Sequence, residues 1–291
     1  ASLNGGSLTV AWALTALAAA WLAARLDLAA LRWGVVAMGA LVAARLAWEP
    51  RIMRDVGTTP ILNWLLVGYG VPALAFAGAA RLLRARDDLP LQVARGCAVA
   101  LAGFLVFFEV RHAMNGGDIY AHGSRLAETG LHAFSATMFA LALTLIGGES
   151  PAPVYRWATA IAGALAGLAA SLGLLIYANP IFTGDSIGEG RVVNALVPGY
   201  LLPALGATAL AIVARRYSAT KSQIAAAAAL LLLFAFVTLA TRALFHGAIL
   251  HLRQGVTPGE SLTYSAAWLA LGLAALAYGV ARRSKEARMG S

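Results

Sequence analysis

The chain has 291 residues, 60% hydrophobic and only 12% charged, with a mean hydropathy of +0.75. Soluble domains hold about 25% charged residues, so this composition excludes a globule covered by polar surface in water. The net charge of +9 comes without any motif of interleaved basic and aromatic residues, which excludes nucleic acid as a partner and leaves the lipid bilayer.

Apolar blocks of about twenty residues, long enough to cross a hydrocarbon core, predict nine helices at about 7–25, 29–48, 61–82, 91–113, 128–147, 155–178, 192–214, 223–250 and 262–281. Loop-like breakers separate them: Glu49-Pro50-Arg51, Arg86-Asp87-Asp88, Asn115-Gly116-Gly117-Asp118, Gly147-Gly148-Glu149, Asn179-Pro180, Arg215-Arg216 and Gly255 to Gly259. The fold class is an all-α, polytopic transmembrane bundle. Its lone cysteine, Cys97, lies inside the fourth block and cannot form an internal disulfide.

Fourteen cations fall at one set of span ends, among them Arg25, Arg32, Arg81, Arg84, Arg86, Arg95, Arg215, Arg216, Lys221, Arg282, Arg283 and Lys285, against five acids. The other ends hold eight arginines and eight acids. Cytoplasmic loops carry the excess of Lys and Arg, so the N-terminus is expected outside and the C-terminus in the cytoplasm.

A repeat runs through the chain. Asn63-x4-Gly68-Tyr69-x2-Pro72-Ala73-Leu74 returns 131 residues later as Asn194-x4-Gly199-Tyr200-x2-Pro203-Ala204-Leu205. Arg111 and Arg242 share that offset; Glu128 and Glu260, and Pro50 and Pro180, lie within one residue of it. The expected organisation is a leading helix at 1–27, a four-helix repeat at 28–150 and a second at 151–291, two parallel copies about an axis along the membrane normal. Ser7-Leu8-Thr9 resembles Ser261-Leu262-Thr263, so the leading helix reads as the end of a preceding unit, consistent with a chain that begins without Met. The pattern of tandem four-helix units, each with an outer arginine and a loop glutamate opening the last helix, resembles the bacterial membrane proteins of domain of unknown function 2339. That resemblance implies further helices upstream as partners and a multi-pass place in the bacterial inner membrane, and it brings no established activity.

All five histidines fall at the outer ends, beside most of the acids. Ionisable groups in or near a span are costly unless paired or facing water, so Arg111, His112, Asp118, His122, Arg125, Glu128, His132, Arg242, His246 and Glu260 are the candidate ligand-binding residues. Two readings stay open for Arg111 with Glu128 and Arg242 with Glu260: ion pairs that clamp helices within each repeat, or arginines whose planar fork takes a carboxylate or phosphate. A Glu128/His132 pair, four apart on one face, has the residue types for acid–base work. No spacing matches a zinc motif, no serine elbow is present, and no glycine-rich phosphate loop occurs, so neither metal nor cofactor is expected. Asn63, Gly68, Tyr69 and Pro72, with Asn194, Gly199, Tyr200 and Pro203, mark either a broken helix with exposed carbonyls or a kink with close packing. Trp48, Trp64 and Trp157 read as interface anchors.

The resulting reading is an integral membrane protein with an extracytoplasmic polar site that binds or transports an anionic or sugar-bearing envelope compound. Two alternatives stand beside it: a membrane-embedded hydrolase or transferase working at the outer face, and a structural scaffold. Denser polar groups in the first repeat, with Ala243 where His112 stands, favour one specialised site.

Overall fold

With no water in the hydrocarbon core, a spanning segment must satisfy its own backbone, and an open run of apolar residues does so only as a helix. The computed structural model describes residues 5–48, 56–121, 123, 125–149, 151–190 and 193–289, with side chains given from 7 to 277 and at 279 and 280. Glu49, Pro50, Arg51, Arg54, Asp55, His122 and Arg191 lie outside the described residues, as do the side chains of the basic C-terminal turns.

The helices are α1 (Gly5–Leu26), α2 (Ala29–Trp48), α3 (Leu66–Leu83), α4 (Leu89–Met114), α5 (Arg125–Gly147), α6 (Pro153–Leu168), the short α7 (Pro180–Thr183), α8 (Val197–Ala214), α9 (Ala219–His246) and α10 (Pro258–Met289). Helix α6 runs on as a wider π-helix over Ala169–Tyr177. Among the described residues the only β pairing is an isolated bridge between Ser186 and Ile249. Among the described residues, eight segments are long and apolar enough to cross a membrane: α1 to α5, α6 with its continuation to α7, α8 and α9. Helix α10 stands where the sequence places a ninth span; its described part falls outside that set and opens on polar turns that include Glu260.

Local chemistry sets the helix ends. The Asp88 carboxylate accepts from the Leu91 N–H at 3.2 Å and caps α4, with Pro90 in the first turn. The Ser218 hydroxyl does the same for α9. Asn63 and Asn194 open α3 and α8 alike, each side-chain oxygen accepting from the N–H two residues on, at 2.7 and 2.9 Å.

Contacts divide the chain into two units, residues 1–123 with 146–160, and 124–145 with 161–291. In the first, α1 lays Thr9, Ala13, Ala16, Ala20 and Ala23 inward, and the core adds Leu65, Tyr69, Phe76, Leu83 and Leu101. In the second, α5 presents Leu126, Gly130, Ala133, Thr137 and Ala140 at the same spacing, and the core adds Leu174, Leu196, Tyr200 and Leu232. Helix α5 therefore packs with the helices that follow it, although the sequence repeat assigns it to the four that end at residue 150.

Buried positions recur at the spacing of the motif. Val56 and Ile187, Leu65 and Leu196, Tyr69 and Tyr200, Leu101 and Leu232, and Ile119 and Leu250 each stand 131 apart, and all ten are buried. So do the hydrogen bonds from Trp64 N–H to Val56 carbonyl and from Ala195 N–H to Ile187 carbonyl.

Alanines crowd the interior beside these larger core residues, and many large apolar side chains lie outside. Leu74, Trp157, Leu205 and Leu262 are among the exposed side chains, while the buried set is rich in alanine. That distribution is unfavourable in water and natural in lipid, where helix association comes from close van der Waals packing. Gly130 is the tightest case: a Cβ there would meet the Pro198 carbonyl oxygen at 2.1 Å and Gly199 Cα at 2.5 Å, so only glycine lets α5 approach α8.

Candidate functional site

The two motif segments answer one sequence question directly. Proline lacks the N–H that would close a helical turn. Ahead of Pro72 the chain widens into a π-turn over Leu66–Gly70, and ahead of Pro203 into one over Val197–Leu201, so α3 and α8 stay helical through both prolines. Gly68, Tyr69, Gly199 and Tyr200 are buried in these turns. Tyr200 donates its hydroxyl to the Leu174 carbonyl at 2.6 Å, and Tyr69 packs its ring on Phe108 and Phe104. These residues fill the helix–helix contact.

In the first unit the polar candidates gather where α4 ends. Arg111 donates from Nε to the Ile119 carbonyl at 2.6 Å and from its terminal nitrogen to the Ala121 carbonyl at 2.5 Å, which folds the following loop back over the helix. His112, almost fully buried, hydrogen-bonds the Gly57 carbonyl through Nε2 at 2.8 Å and ties the end of α4 to the loop after α2. Asp118 is exposed and its carboxylate accepts from the Tyr120 N–H. Asn63 donates to Glu109 at 3.1 Å, as does the Ile61 N–H at 3.3 Å; Ala240 stands at the matching place in the second unit.

In the second unit, Arg242 and Glu260 meet at 3.0 Å. Glu260 has no exposed surface and Arg242 only 5%. The Arg242 guanidinium also donates to the His251 carbonyl at 2.6 Å and the Gly255 carbonyl at 3.4 Å. His246 reaches the second Glu260 oxygen at 2.9 Å, and the Tyr264 hydroxyl donates to the first at 2.8 Å. Burial pushes the Glu260 carboxyl upward, and the hydrogen bonds from His246 and Tyr264 more than offset it, so the net direction is down. Sequence reasoning missed Tyr264; its place one turn beyond Glu260 was the available signal.

Glu128, also buried, opens α5 with His132 one turn on; Oε1 and Nε2 stand 3.7 Å apart. Arg125 is exposed and lies over the Tyr177 ring at 5.4 Å. Arg111 belongs to the first unit and Glu128 to the second. Among the described residues no three His, Cys, Asp or Glu side chains converge as metal ligands would.

Beside the α9 end of the buried network lies a cavity of about 340 Å³. It is lined by Ile187, Gly188, Glu189, Gly190 and Asn194 from the loop before α8, and by Ala243, Leu244, Gly247 and Ala248 from the end of α9. Glu189 adds a carboxylate to this wall, while the Gly188 and Gly247 N–H groups, the Gly190 carbonyl and both ends of the Asn194 carboxamide already have partners within the protein. Arg242, next to Ala243 in sequence, faces the Glu260 network.

No curated protein and no solved structure matches the chain. A family model described as predicted membrane protein, DUF2339, matches residues 1–291. Eight membrane-length apolar helices among the described residues, with buried alanines and lipid-suited outer faces, are what that description requires, and the chain belongs to the DUF2339 family of predicted membrane proteins.

Proposed function

We propose that the protein is a ligand-handling membrane module, built of two copies of one four-helix unit, whose site is the cavity at the α9 end of the second unit. It binds or carries a sugar-bearing compound of the cell envelope. The observation that carries this reading is the lining: the exposed Glu189 carboxylate beside a space of about 340 Å³ walled by Gly188, Gly190 and Gly247. A sugar hydroxyl donates as well as accepts, and the exposed Glu189 carboxylate offers it an acceptor. The volume falls at the lower end of small-molecule sites. The described lining holds a carboxylate and no cation, so a sugar moiety fits it better than an anion. Beneath it, the Arg242–Glu260 network fixes the end of α9.

The orientation follows from the cation count, which supports placing this end outside a bacterial inner membrane and the C-terminus in the cytoplasm. One observation favours the scaffold alternative: both Glu260 oxygens are taken by donors of the protein itself. Native mass spectrometry of the purified protein in mild detergent separates the two. A co-purifying glycan-bearing mass that Glu189→Gln and Leu244→Trp both remove, with unchanged melting temperature, is expected. No adduct in any form of the protein gives the scaffold reading first place.

A further inference from the structure

In the first unit, α3 finishes and α4 begins across a five-residue turn. There a cavity of about 280 Å³ opens, lined by Ala77, Ala80, Arg81 and Arg84 of α3, Arg95, Ala98 and Val99 of α4, and Tyr155 at the head of α6. The spacings of three and four put each helix's contribution on a single face. Three alanines leave the space, and three guanidinium groups with one phenol surround it. Among the described residues no carboxylate lines it.

These arginines are not used up by the fold. Arg81 and Arg84 have no ion-pair partner among the described residues. Arg95 stands 3.6 Å from Asp87, whose side chain is 70% exposed in the turn. The Arg95 side chain itself is only 22% exposed and its guanidinium lies 5.7 Å over the Tyr155 ring, which holds it in place. The matching positions of the second unit, 131 residues on, are Ile212, Arg215 and Ala226. Helices of the same pattern therefore pack there without two of the three charges, and packing does not explain Arg81 and Arg95.

Three cations around one space repel one another, and an anion bound among them relieves that repulsion. Forked guanidinium donors match phosphate oxygens. The alanine and valine wall below offers an apolar surface at the depth where a span meets the headgroup layer. We propose that this cavity binds the phosphate of an anionic lipid headgroup, with the glycerol and first acyl carbons along Ala77, Ala98 and Val99. Basic pockets between helices at a membrane face have this character.

The test is native mass spectrometry of the full chain in micelles doped with equal amounts of phosphatidylglycerol and phosphatidylcholine. Wild type is compared with Arg81→Gln, Arg84→Gln, Arg95→Gln and, as control, Arg215→Gln. Wild type and the control should retain a phosphatidylglycerol adduct, reduced about five- to tenfold in each of the three variants. Arg84 is exposed, so its variant keeps the fold intact, and melting temperature checks the others. Equal adducts in wild type and Arg84→Gln, or no preference over phosphatidylcholine, would overturn the proposal. Displacement of the lipid by inorganic phosphate at millimolar concentration would show a free-anion site and overturn the lipid assignment.

Discussion

Arg242 and Glu260 are joined at 3.0 Å with essentially no access to solvent. Taking two charges out of water costs several kcal/mol each, so such a pair contributes little net stability when whole and is strongly destabilising when halved. His246, Tyr264 and the His251 carbonyl complete its hydrogen bonds. Glu260→Ala should cost about 3–5 kcal/mol, because it leaves Arg242 buried without its counter-charge. The double variant Arg242→Met with Glu260→Leu should recover most of that loss. Unfolding in detergent against rising sodium dodecyl sulfate reads both, and equal losses in the single and double variants would show that the charges themselves hold the helices.

Gly130 faces Pro198 and Gly199 backbone, and backbone cannot step aside for a methyl group. Gly130→Ala should destabilise the second unit by about 1–3 kcal/mol through overpacking. Gly163 and Gly167 of α6 meet nothing within 4 Å at the Cβ position. Alanine at either should be neutral or stabilising, since glycine in a helix interior costs up to about 1 kcal/mol. Melting temperatures of the three variants side by side check this; a Gly130 variant as stable as the α6 variants would mean that α5 and α8 do not approach so closely.

Residue pattern alone reveals the helices, because apolar block length and breakers follow directly from bilayer thickness. It also singles out Arg242 and Glu260, since offsets of 131 and 132 residues from Arg111 and Glu128 set both apart from the apolar background, while leaving open whether they pair or take a ligand. What it cannot show is bonding to backbone. Arg111 donates to the carbonyls of Ile119 and Ala121, acceptors that every residue type carries and no motif displays. Pro72 and Pro203 announce a disturbance, while the π-turn that absorbs it depends on the glycine and tyrosine packing around it. The place of α5 in the second unit was readable in part, because Gly130, Ala133, Thr137 and Ala140 repeat the inward small-residue spacing of α1. The cavity beside Glu189 and Asn194 was not, since loops distant in sequence line it.

Arg32 grips Asp88 with two parallel bonds, Nε to Oδ2 at 2.8 Å and the terminal nitrogen to Oδ1 at 2.7 Å, which ties α2 to the cap of α4. The hydrogen bonds from Arg32 hold the Asp88 carboxyl below its ordinary value, against the upward push of burial. A depressed carboxyl contributes stability that is present above the unfolded value, about 3.9, and is lost as pH falls through the lower folded value. The melting temperature of wild type should therefore exceed that of Asp88→Asn at neutral pH, and the gap should close as pH drops below about 4. A gap of constant size across that range would show that the bond is worth the same without its charge.

The last contrast uses the two motif tyrosines. Tyr200 donates to the Leu174 carbonyl at 2.6 Å in a fully buried setting, whereas Tyr69, at the matching place, packs against the rings of Phe104 and Phe108. Tyr200→Phe leaves the Leu174 carbonyl without that donor and should cost about 1–3 kcal/mol. Tyr69→Phe keeps the ring contacts and should change stability by less than about 0.5 kcal/mol. The same unfolding assay compares them. Equal effects would mean that the tyrosine repeats for a reason common to both units, while the expected inequality would assign the first tyrosine to packing and the second to a bond that holds α8 against the π-helical end of α6.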